Sequence, residues 1–329
     1  MKISIIIPHH NETKDQIHSL LNSIDSQVGI DFNDLEIILC RDIETSPLDD
    51  CDFSEYKNIH NRIIRLKSSY KQNPGMSRQT GVDHASGDYI FFCDADDSLY
   101  SVIVLRELIE NINKTNADVY RFRFVEEIGS FESDDLWYQV KPTNWVWVFA
   151  KAYRRQWLID NNIRFNETIR WHEDTYYNLL CQYCDPNTID IEDVAYLWKF
   201  SRTSVTRVNN HEYTFNTIDE YLDAVGKAFD KITNEYKKNC GQDVLKVMNT
   251  YYKTLMHPNN ADQPKYEYIE RCYYNFVRRF ANNLFDGIPM DIQRFMASLV
   301  WSGDREFLPR LSLDSYLRYL KEKYEVNVS

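Results

Sequence analysis

Short apolar runs alternate with amphipathic segments over the first hundred residues of the chain. The first run, residues 3–7, is rich in isoleucine and stops at Pro8, while the run at residues 89–93 stops at Asp94. Runs of this length and composition are typical of buried parallel strands. Between them the sequence predicts further strands at residues 35–40 and 63–66 and helices at residues 15–24 and 76–85. The alternation predicts an α/β fold with a mostly parallel sheet that helices cover on both faces.

A helical pattern replaces this alternation after about residue 210. Apolar residues recur there at intervals of three and four, as in an amphipathic helix with one buried face. The pattern runs through residues 218–236, 269–280 and 313–320, and Pro258 and Pro264 interrupt it. We therefore expect a helical C-terminal region to follow the α/β domain.

The formal net charge of the 329-residue chain is −12, and all of it lies in residues 1–205, because charges balance in the remainder. An acidic surface repels nucleic acid and anionic membranes, so we expect neither as a bulk partner. No apolar run near the start approaches the roughly 20 residues of a membrane helix, and no signal peptide is recognised. Seven cysteines, an odd number scattered along the chain, are typical of reduced thiols. These features predict a cytoplasmic protein.

Three carboxylates, Asp94, Asp96 and Asp97, follow the apolar run at residues 89–93. Ligands of parallel sheets bind at the carboxyl ends of the strands, and clustered carboxylates need a cation or donor groups to neutralise them. Oxygen ligands suit Mg²⁺ or Mn²⁺ that is shared with phosphate oxygens. The alternative is a polar turn in which Asp97 caps a following helix.

Residues 73–97 read NPGMSRQTGVDHASGDYIFFCDADD. This stretch resembles the signature of family 2 glycosyltransferases, in which a Gly-x-x-x-Ala-Arg-Asn-x-Gly segment opens a helix and the next strand ends in Asp-x-Asp-Asp. The start of the chain, residues 5–12, is similar to the family's Ile-Ile-Pro-x-Tyr-Asn-x-Glu. Residues 151–174 are similar to the segment that ends in a catalytic Glu-Asp pair. The resemblance covers roughly residues 1–207 and implies a GT-A nucleotide-sugar-binding catalytic domain there, with residues 208–329 left for acceptor binding, packing or oligomerisation.

The resemblance also implies roles for individual residues. Those of the nucleotide pocket and the sugar site are Pro8, His10, Asn11, Glu12, Asp42, Arg78, Asp94 and Ala95. Asp96, with Asp94, is expected to hold the metal ion, and Asp174, with Glu173 beside it, to supply the catalytic base. Three departures from the family pattern concern the donor: His10 replaces a tyrosine, Arg41 an aspartate and Gln79 an asparagine.

The expected mechanism follows from charge. A nucleotide diphosphate leaves readily only when its developing negative charge is neutralised, which a metal ion and nearby cations achieve. An inverting transfer also needs a base on the opposite face of the sugar to take the acceptor proton. Lys199 and Arg202, in a segment similar to the family's Tyr-Arg-x-x-x-x-Ser-Val-Thr, are predicted to close over the diphosphate. The alternative for these two residues is a solvated loop.

The sequence therefore predicts a metal-dependent inverting glycosyltransferase with Mn²⁺ or Mg²⁺ as cofactor and a UDP-sugar as donor. Its acceptor is expected to be a carbohydrate or glycolipid in polysaccharide, lipid-linked glycan or wall-polymer synthesis. Peripheral contact with the inner face of the membrane and homo-oligomers formed through the C-terminal helices fit this function. Two alternatives are a GT-A enzyme that acts on a protein or modified nucleic acid and a non-catalytic binding or scaffold module.

Overall fold

The computed structural model describes residues 1–202 apart from 45 and 47, then 210–232, 260–285 and 313–325, together with single positions between 247 and 257. The chain divides into two units, Met1–Ser204 and Val205–Ser329. None of the helices in these described ranges combines the length and the hydropathy that a membrane span requires.

The first part of the sheet is parallel, as predicted. Strands β1 (Ile3–His9), β2 (Leu35–Arg41), β3 (Ile63–Lys67) and β4 (Tyr89–Phe92) pair in the order β3-β2-β1-β4, with every pairing parallel. Strands β1, β2 and β4 are buried almost throughout because both of their faces are covered, which is why they consist of nearly unbroken apolar residues.

Beyond β4 the sheet becomes mixed, so the mostly parallel sheet predicted from the sequence is only its first half. The described strands continue as β5 (Ser98–Leu99), β6 (Val119–Gly129), β7 (Leu136–Lys141), β8 (Lys151–Arg154) and β9 (Thr188–Trp198). The full order is β3-β2-β1-β4-β8-β6-β9-β5, and β7 pairs with β6 alone. The β4–β8, β6–β8, β6–β7 and β5–β9 pairings are antiparallel, whereas β6–β9 is parallel.

Helices pack on this sheet and fix its loops. They are α1 (Lys14–Asp25), α2 (Pro74–His84), α3 (Val104–Thr115), α4 (Arg155–Asp160) and α5 (Glu173–Tyr183). Helix α2 begins where the Asn73 side chain accepts a hydrogen bond from the backbone N–H of Met76, with Pro74 in the first turn. Gly75 lets α5 approach closely: a Cβ at this position would lie 3.0 Å from Cβ of Glu173.

The second unit is helical in its described residues, as the periodicity predicted. Its helices are α6 (Asn210–Lys231), α7 (Tyr266–Phe285) and α8 (Leu313–Glu325). The rings of Phe229 in α6 and Phe280 in α7 pack with their centroids 5.5 Å apart. Lys323 of α8 forms a 2.6 Å ion pair with the buried Glu270 of α7. Tyr236, which the helical pattern included, lies outside the described residues.

Candidate active site

The segments that follow β1 and β2 meet at one edge of the sheet. Nδ1 of His10 bonds Oδ1 of Asp42, and the backbone N–H of His10 donates to Oε2 of Glu12 at 2.6 Å. The other oxygen of Asp42 accepts the backbone N–H of Asn73 at 3.0 Å. The structure therefore brings together His10, Glu12 and Asp42, three of the residues predicted for the nucleotide pocket.

Three further predicted residues lie around this cluster. Pro8 is buried within β1, opposite Cys40 of β2, and Ala95 is buried beside the carboxylates of the next loop. Asn11 is exposed at the turn after β1. Burial lowers the pKa of the neighbouring His9 to about 4, and the Arg41 cation adds to this effect. The His9 ring is therefore neutral near pH 7.

An acidic group occupies the carboxyl end of β4. Burial, together with the charges of Asp94 and Glu12, raises the pKa of Asp96 to about 6. Burial, assisted by Asp94, also raises the pKa of Glu12. These shifts mark negative charge that the neighbouring protein groups do not neutralise, so the oxygen-only set fits a divalent cation.

The fit is to a shared metal site rather than an all-protein cage. In the part of the chain that the structure describes, no three His, Cys, Asp or Glu side chains converge as ligands of one metal ion. Mg²⁺ is commonly held by one or two carboxylates together with phosphate oxygens and water. Asp96 and Asp94 remain the predicted protein ligands of such a site.

Asp97 has a structural role that differs from the helix cap considered above. No helix begins there: Ser98 and Leu99 form β5, and α3 begins at Val104. The Asp97 carboxylate accepts the Tyr196 hydroxyl and the Lys199 backbone N–H, each at 2.8 Å. The same hydroxyl accepts the backbone N–H of Asp94 at 2.8 Å. Asp97 thus ties the end of β9 to the acidic loop.

Arg78 connects the acidic loop to the beginning of α5. Its Nη2 lies 2.7 Å from Oδ1 of Asp94, and its Nη1 lies 2.8 Å from Oε1 of Glu173 and 3.3 Å from Oδ1 of Asp174. The Arg78 side chain is only 6% exposed. It lies among carboxylates from two chain segments that are eighty residues apart in sequence. Contact between Arg78 and the donor's base or phosphates remains a prediction.

Asp174 is held in the first turn of α5. His172, which precedes the helix, has left-handed backbone geometry with φ of 62°. The second oxygen of Asp174 accepts the backbone N–H of Val148 at 3.1 Å. Burial raises the pKa of Asp174 to about 7, with Arg78 opposing the shift and the charges of Glu173 and Asp94 adding to it. A carboxyl group with this pKa is suited to accept a proton near neutral pH.

The two basic residues predicted to cover the diphosphate have other partners. Nζ of Lys199 lies 2.8 Å from Oγ of Ser19 and 3.2 Å from the carbonyl oxygen of Asp97, so it borders the acidic loop. Arg202 pairs at 2.8 Å with Asp134 in the turn between β6 and β7, and it is half exposed. The structure therefore brings Lys199 to the acidic loop and pairs Arg202 with the β6–β7 turn. Closure of these residues over the diphosphate remains a prediction.

Sequence reasoning missed three groups that organise the site. They are the Tyr196 hydroxyl, the Val148 backbone N–H and the buried Lys151, whose pKa burial lowers to about 7 although the charge of Asp174 opposes the shift. A backbone N–H carries no sequence signal. A lysine within the apolar stretch at residues 146–153 was a signal, because lysine is rarely buried without a partner.

The mixed sheet and the acidic loop at the carboxyl end of β4 are features of a GT-A glycosyltransferase. The model of the family described as Glycosyl transferase family 2 matches residues 4–170, and the chain belongs to this family. Both results confirm the fold class and the family inferred from the sequence motifs.

Two relatives and one solved structure illustrate the similarity. A GalNAc(5)-diNAcBac-PP-undecaprenol beta-1,3-glucosyltransferase of Campylobacter jejuni is 26% identical over 287 residues, which cover 83% of this chain and 87% of the relative. The poly(ribitol-phosphate) beta-N-acetylglucosaminyltransferase TarS of Staphylococcus aureus is 26% identical over 213 residues, which cover 61% of this chain and 36% of TarS. The crystal structure of S. aureus TarS 1-349 in complex with UDP-GlcNAc matches with a TM-score of 0.66 at 16% identity, covers 99% of this chain and 92% of that chain, and shows a shared fold.

Proposed function

We propose that this glycosyltransferase is metal-dependent and inverting and that it transfers a sugar from a UDP-sugar to a hydroxyl group of a lipid-linked glycan or wall polymer. The observation that carries the proposal is the position of Arg78, whose guanidinium contacts Asp94 on one side and Glu173 and Asp174 on the other. These contacts put the predicted donor residues and the predicted base in one cleft, as a direct transfer requires.

The donor half of the site comes from the segments after β1, β2 and β4. The His10–Asp42 pair and Glu12 are the groups that we assign to the nucleoside. Asp96 with Asp94 would hold Mn²⁺ or Mg²⁺, which neutralises the charge that develops on the leaving diphosphate. Lys199, whose Nζ already borders the acidic loop, supplies a second positive charge on that side.

The acceptor half is built on α5. Asp174 takes the proton from the acceptor hydroxyl as its oxygen attacks the anomeric carbon from the face opposite the diphosphate. The product then has the opposite anomeric configuration, so an α-linked donor gives a β-linked product. Glu173 shares Nη1 of Arg78 with Asp174 and so holds the guanidinium in place. The acceptor oxygen forms the new bond to the anomeric carbon, and the nucleoside diphosphate leaves with the electrons of the broken bond.

The acceptor class is proposed from the relatives. The names of the Campylobacter and Staphylococcus enzymes describe transfer to an undecaprenol-linked glycan and to poly(ribitol phosphate). A carbohydrate or glycolipid acceptor suits an acidic surface better than a nucleic acid does. Peripheral membrane contact, and homo-oligomers through the helices of residues 208–329, are part of the same proposal.

The test separates donor binding from chemistry. In Asp174→Asn we expect kcat to fall by about 10² to 10⁴, with the Kd for the donor nearly unchanged, because a base acts in the transition state. In Asp96→Ala we expect Mn²⁺-dependent binding of UDP to be lost, because a metal ligand is removed. Asp160→Asn, an exposed carboxyl in α4, is the matched control.

Calorimetry with UDP, UDP release from a panel of UDP-sugars, and proton NMR of the fresh product provide the measurements. Turnover in excess chelator would contradict the metal, retention of configuration would contradict the inverting mechanism, and an Asp174→Asn variant that keeps more than about a tenth of wild-type kcat would remove Asp174 as the base.

A further inference from the structure

Lys151 is a buried lysine at the start of β8. The residue is 3% exposed, and Tyr153, two residues further along β8, packs its ring 5.7 Å from the ring of Tyr177 in α5. Burying an ammonium group is unfavourable unless hydrogen bonds and an opposite charge compensate it. The position therefore requires specific partners for Nζ.

The partners of Lys151 lie in the segment that orients the catalytic base. Nζ donates to the carbonyl oxygen of Trp147 and, at 3.4 Å, to that of Phe149. The residue between these two carbonyls is Val148, whose backbone N–H donates to Oδ2 of Asp174 at 3.1 Å. The carbonyl groups of residues 147 and 149 thus contact Lys151, and the N–H of the residue between them contacts Asp174.

The same segment has a backbone conformation that needs support. Ala150 has a φ of 53°, in the left-handed region that residues with a Cβ rarely adopt. Such a conformation persists only when the surrounding contacts hold it. Lys151 bonds the carbonyl oxygens of Trp147 and Phe149, which precede Ala150 in the chain. These hydrogen bonds are contacts of this kind.

The charged and titratable groups around Lys151 are Asp174, Arg121, Cys181 and Asp190. Asp190 of β9 is bound by Arg121 of β6 through two hydrogen bonds of 2.7 and 2.8 Å. Burial raises the pKa of the Cys181 thiol in α5, so that group is neutral near pH 7. Asp174 faces Arg78, Glu173 and Asp94 as well. Burial lowers the pKa of Lys151 to about 7, and the charge of Asp174 opposes this shift.

We propose that Lys151 is a positioning residue for the catalytic base, because its ammonium group holds residues 147–150 in the conformation that presents the Val148 N–H to Asp174. The inference rests on the proposed role of Asp174. It extends that role to a residue that touches neither substrate nor the acidic loop. Loss of Lys151 should therefore impair proton transfer and leave the donor site intact.

The first experiment compares Lys151→Met and Lys151→Gln with wild type in the full chain. We expect Lys151→Met to lower kcat by about tenfold or more, because misplacement of a catalytic group has large effects, while the Kd for UDP in the presence of Mn²⁺ stays unchanged. We expect the acid limb of the kcat–pH profile to move to higher pH, because a neutral side chain no longer favours the Asp174 carboxylate. Lys151→Gln keeps one N–H donor group and should retain part of the activity.

The control is Tyr120→Phe, which removes a buried hydroxyl from the neighbouring strand β6 far from Asp174, where it bonds Ala117 and Thr115. This variant should show no shift in the pH profile. An unshifted profile in Lys151→Met, or a parallel loss of UDP binding, would overturn the positioning role. So would a failure of both Lys151 variants to fold, because Lys151 would then act on stability.

A double variant distinguishes this inference from the proposed function. In Asp174→Asn, the further change Lys151→Met should cost almost no additional kcat, because both act on one step. An equal loss in both backgrounds would contradict the inference alone. If Asp174→Asn by itself keeps most of its activity, the proposed base is wrong, whatever Lys151 does.

Discussion

Asp174 is a carboxyl group whose environment favours the neutral form. Burial raises its pKa to about 7, although Arg78 acts against this shift. An aspartate in an unfolded chain has a pKa near 4. Between these two values the folded protein binds a proton that the unfolded chain has released. The contribution of Asp174 to the free energy of unfolding is therefore largest below about pH 4. It decreases as the pH rises from about 4 to about 7.

This linkage gives a prediction with opposite effects on stability and activity. At pH 8 we expect Asp174→Asn to be more stable than wild type by about 1 kcal/mol or more, because each pKa unit corresponds to about 1.4 kcal/mol. The difference should shrink as the pH falls below 7 and disappear only near pH 4, where Asp174 is protonated in the folded and the unfolded chain alike. Thermal unfolding from pH 4 to pH 8 measures it.

Activity should change with pH in the other direction. Wild-type kcat should fall about tenfold per pH unit below pH 7, because only the carboxylate accepts a proton. Asp160→Asn should show wild-type behaviour in both measurements. Equal melting curves for Asp174→Asn and wild type at pH 8 would show that the carboxylate is well solvated in the folded protein.

Individual residues of the site were predictable where a motif marks them. Asp42, Asp94, Glu173 and Asp174 follow apolar runs or family motifs, and the structure places all four near Arg78 or His10. Their partners were not predictable. The contact between Arg78 and Asp174 joins residues 96 positions apart, and no local pattern encodes such a pairing.

At the scale of elements, the site depends on how closely α2 and α5 approach. Helix α2 carries Arg78 and α5 carries Glu173 and Asp174, so the spacing of the two helices sets the ion-pair distances. Gly75 stands at the contact: a Cβ there would lie 3.0 and 3.1 Å from Cβ and Cγ of Glu173 and 3.2 Å from the Phe165 ring. The Phe165 ring is itself stacked on Tyr177 of α5, with centroids 4.2 Å apart, so it has little room to move.

We expect Gly75→Ala to lower kcat by about tenfold or more, because α5 must shift by a few tenths of an ångström and the base moves with it. UDP binding should change less. Gly226→Ala in α6 is the matched control, since its Cβ would meet Arg279 and Phe280 at 3.6 Å or more. Replacing a helical glycine by alanine at such a position should stabilise the protein by up to about 1 kcal/mol. Steady-state kinetics and thermal unfolding of both variants test this, and an active Gly75→Ala variant would mean that the helices can separate without harm.

The strands were predictable where the sequence of the strand itself carries the signal. Strands β1 to β4 have apolar runs bounded by proline, glycine or acidic residues, and they were predicted as strands of a mostly parallel sheet, although their order in the sheet was not predicted. Strands β6 to β9 mix polar and aromatic residues, and β7 is exposed along most of its length. Their antiparallel pairings depend on contacts with β4 and with one another, so their own sequences did not indicate them.

At the scale of the whole molecule, the acidic excess and the site belong to the same unit. The net charge of −12 lies in residues 1–205, and every site residue discussed above lies within Met1–Ser204. The remaining unit, Val205–Ser329, has balanced charge and amphipathic helices in its described residues. The family match also ends at residue 170. Donor chemistry is therefore assigned to the first unit, and the helical unit is proposed to serve the acceptor or self-association.

This division predicts that a fragment of residues 1–204 binds the donor without the helical unit. We expect its Kd for UDP in the presence of Mn²⁺ to stay within about threefold of the full chain, because sites that share no groups act independently. Transfer to a polymeric or lipid-linked acceptor should fall much more than slow hydrolysis of the UDP-sugar by water, since only the former uses the helical unit. Asp96→Ala in the fragment is the control for specific binding. Calorimetry and UDP release measure the two effects, and a folded fragment that fails to bind UDP would show that donor binding needs residues beyond 204.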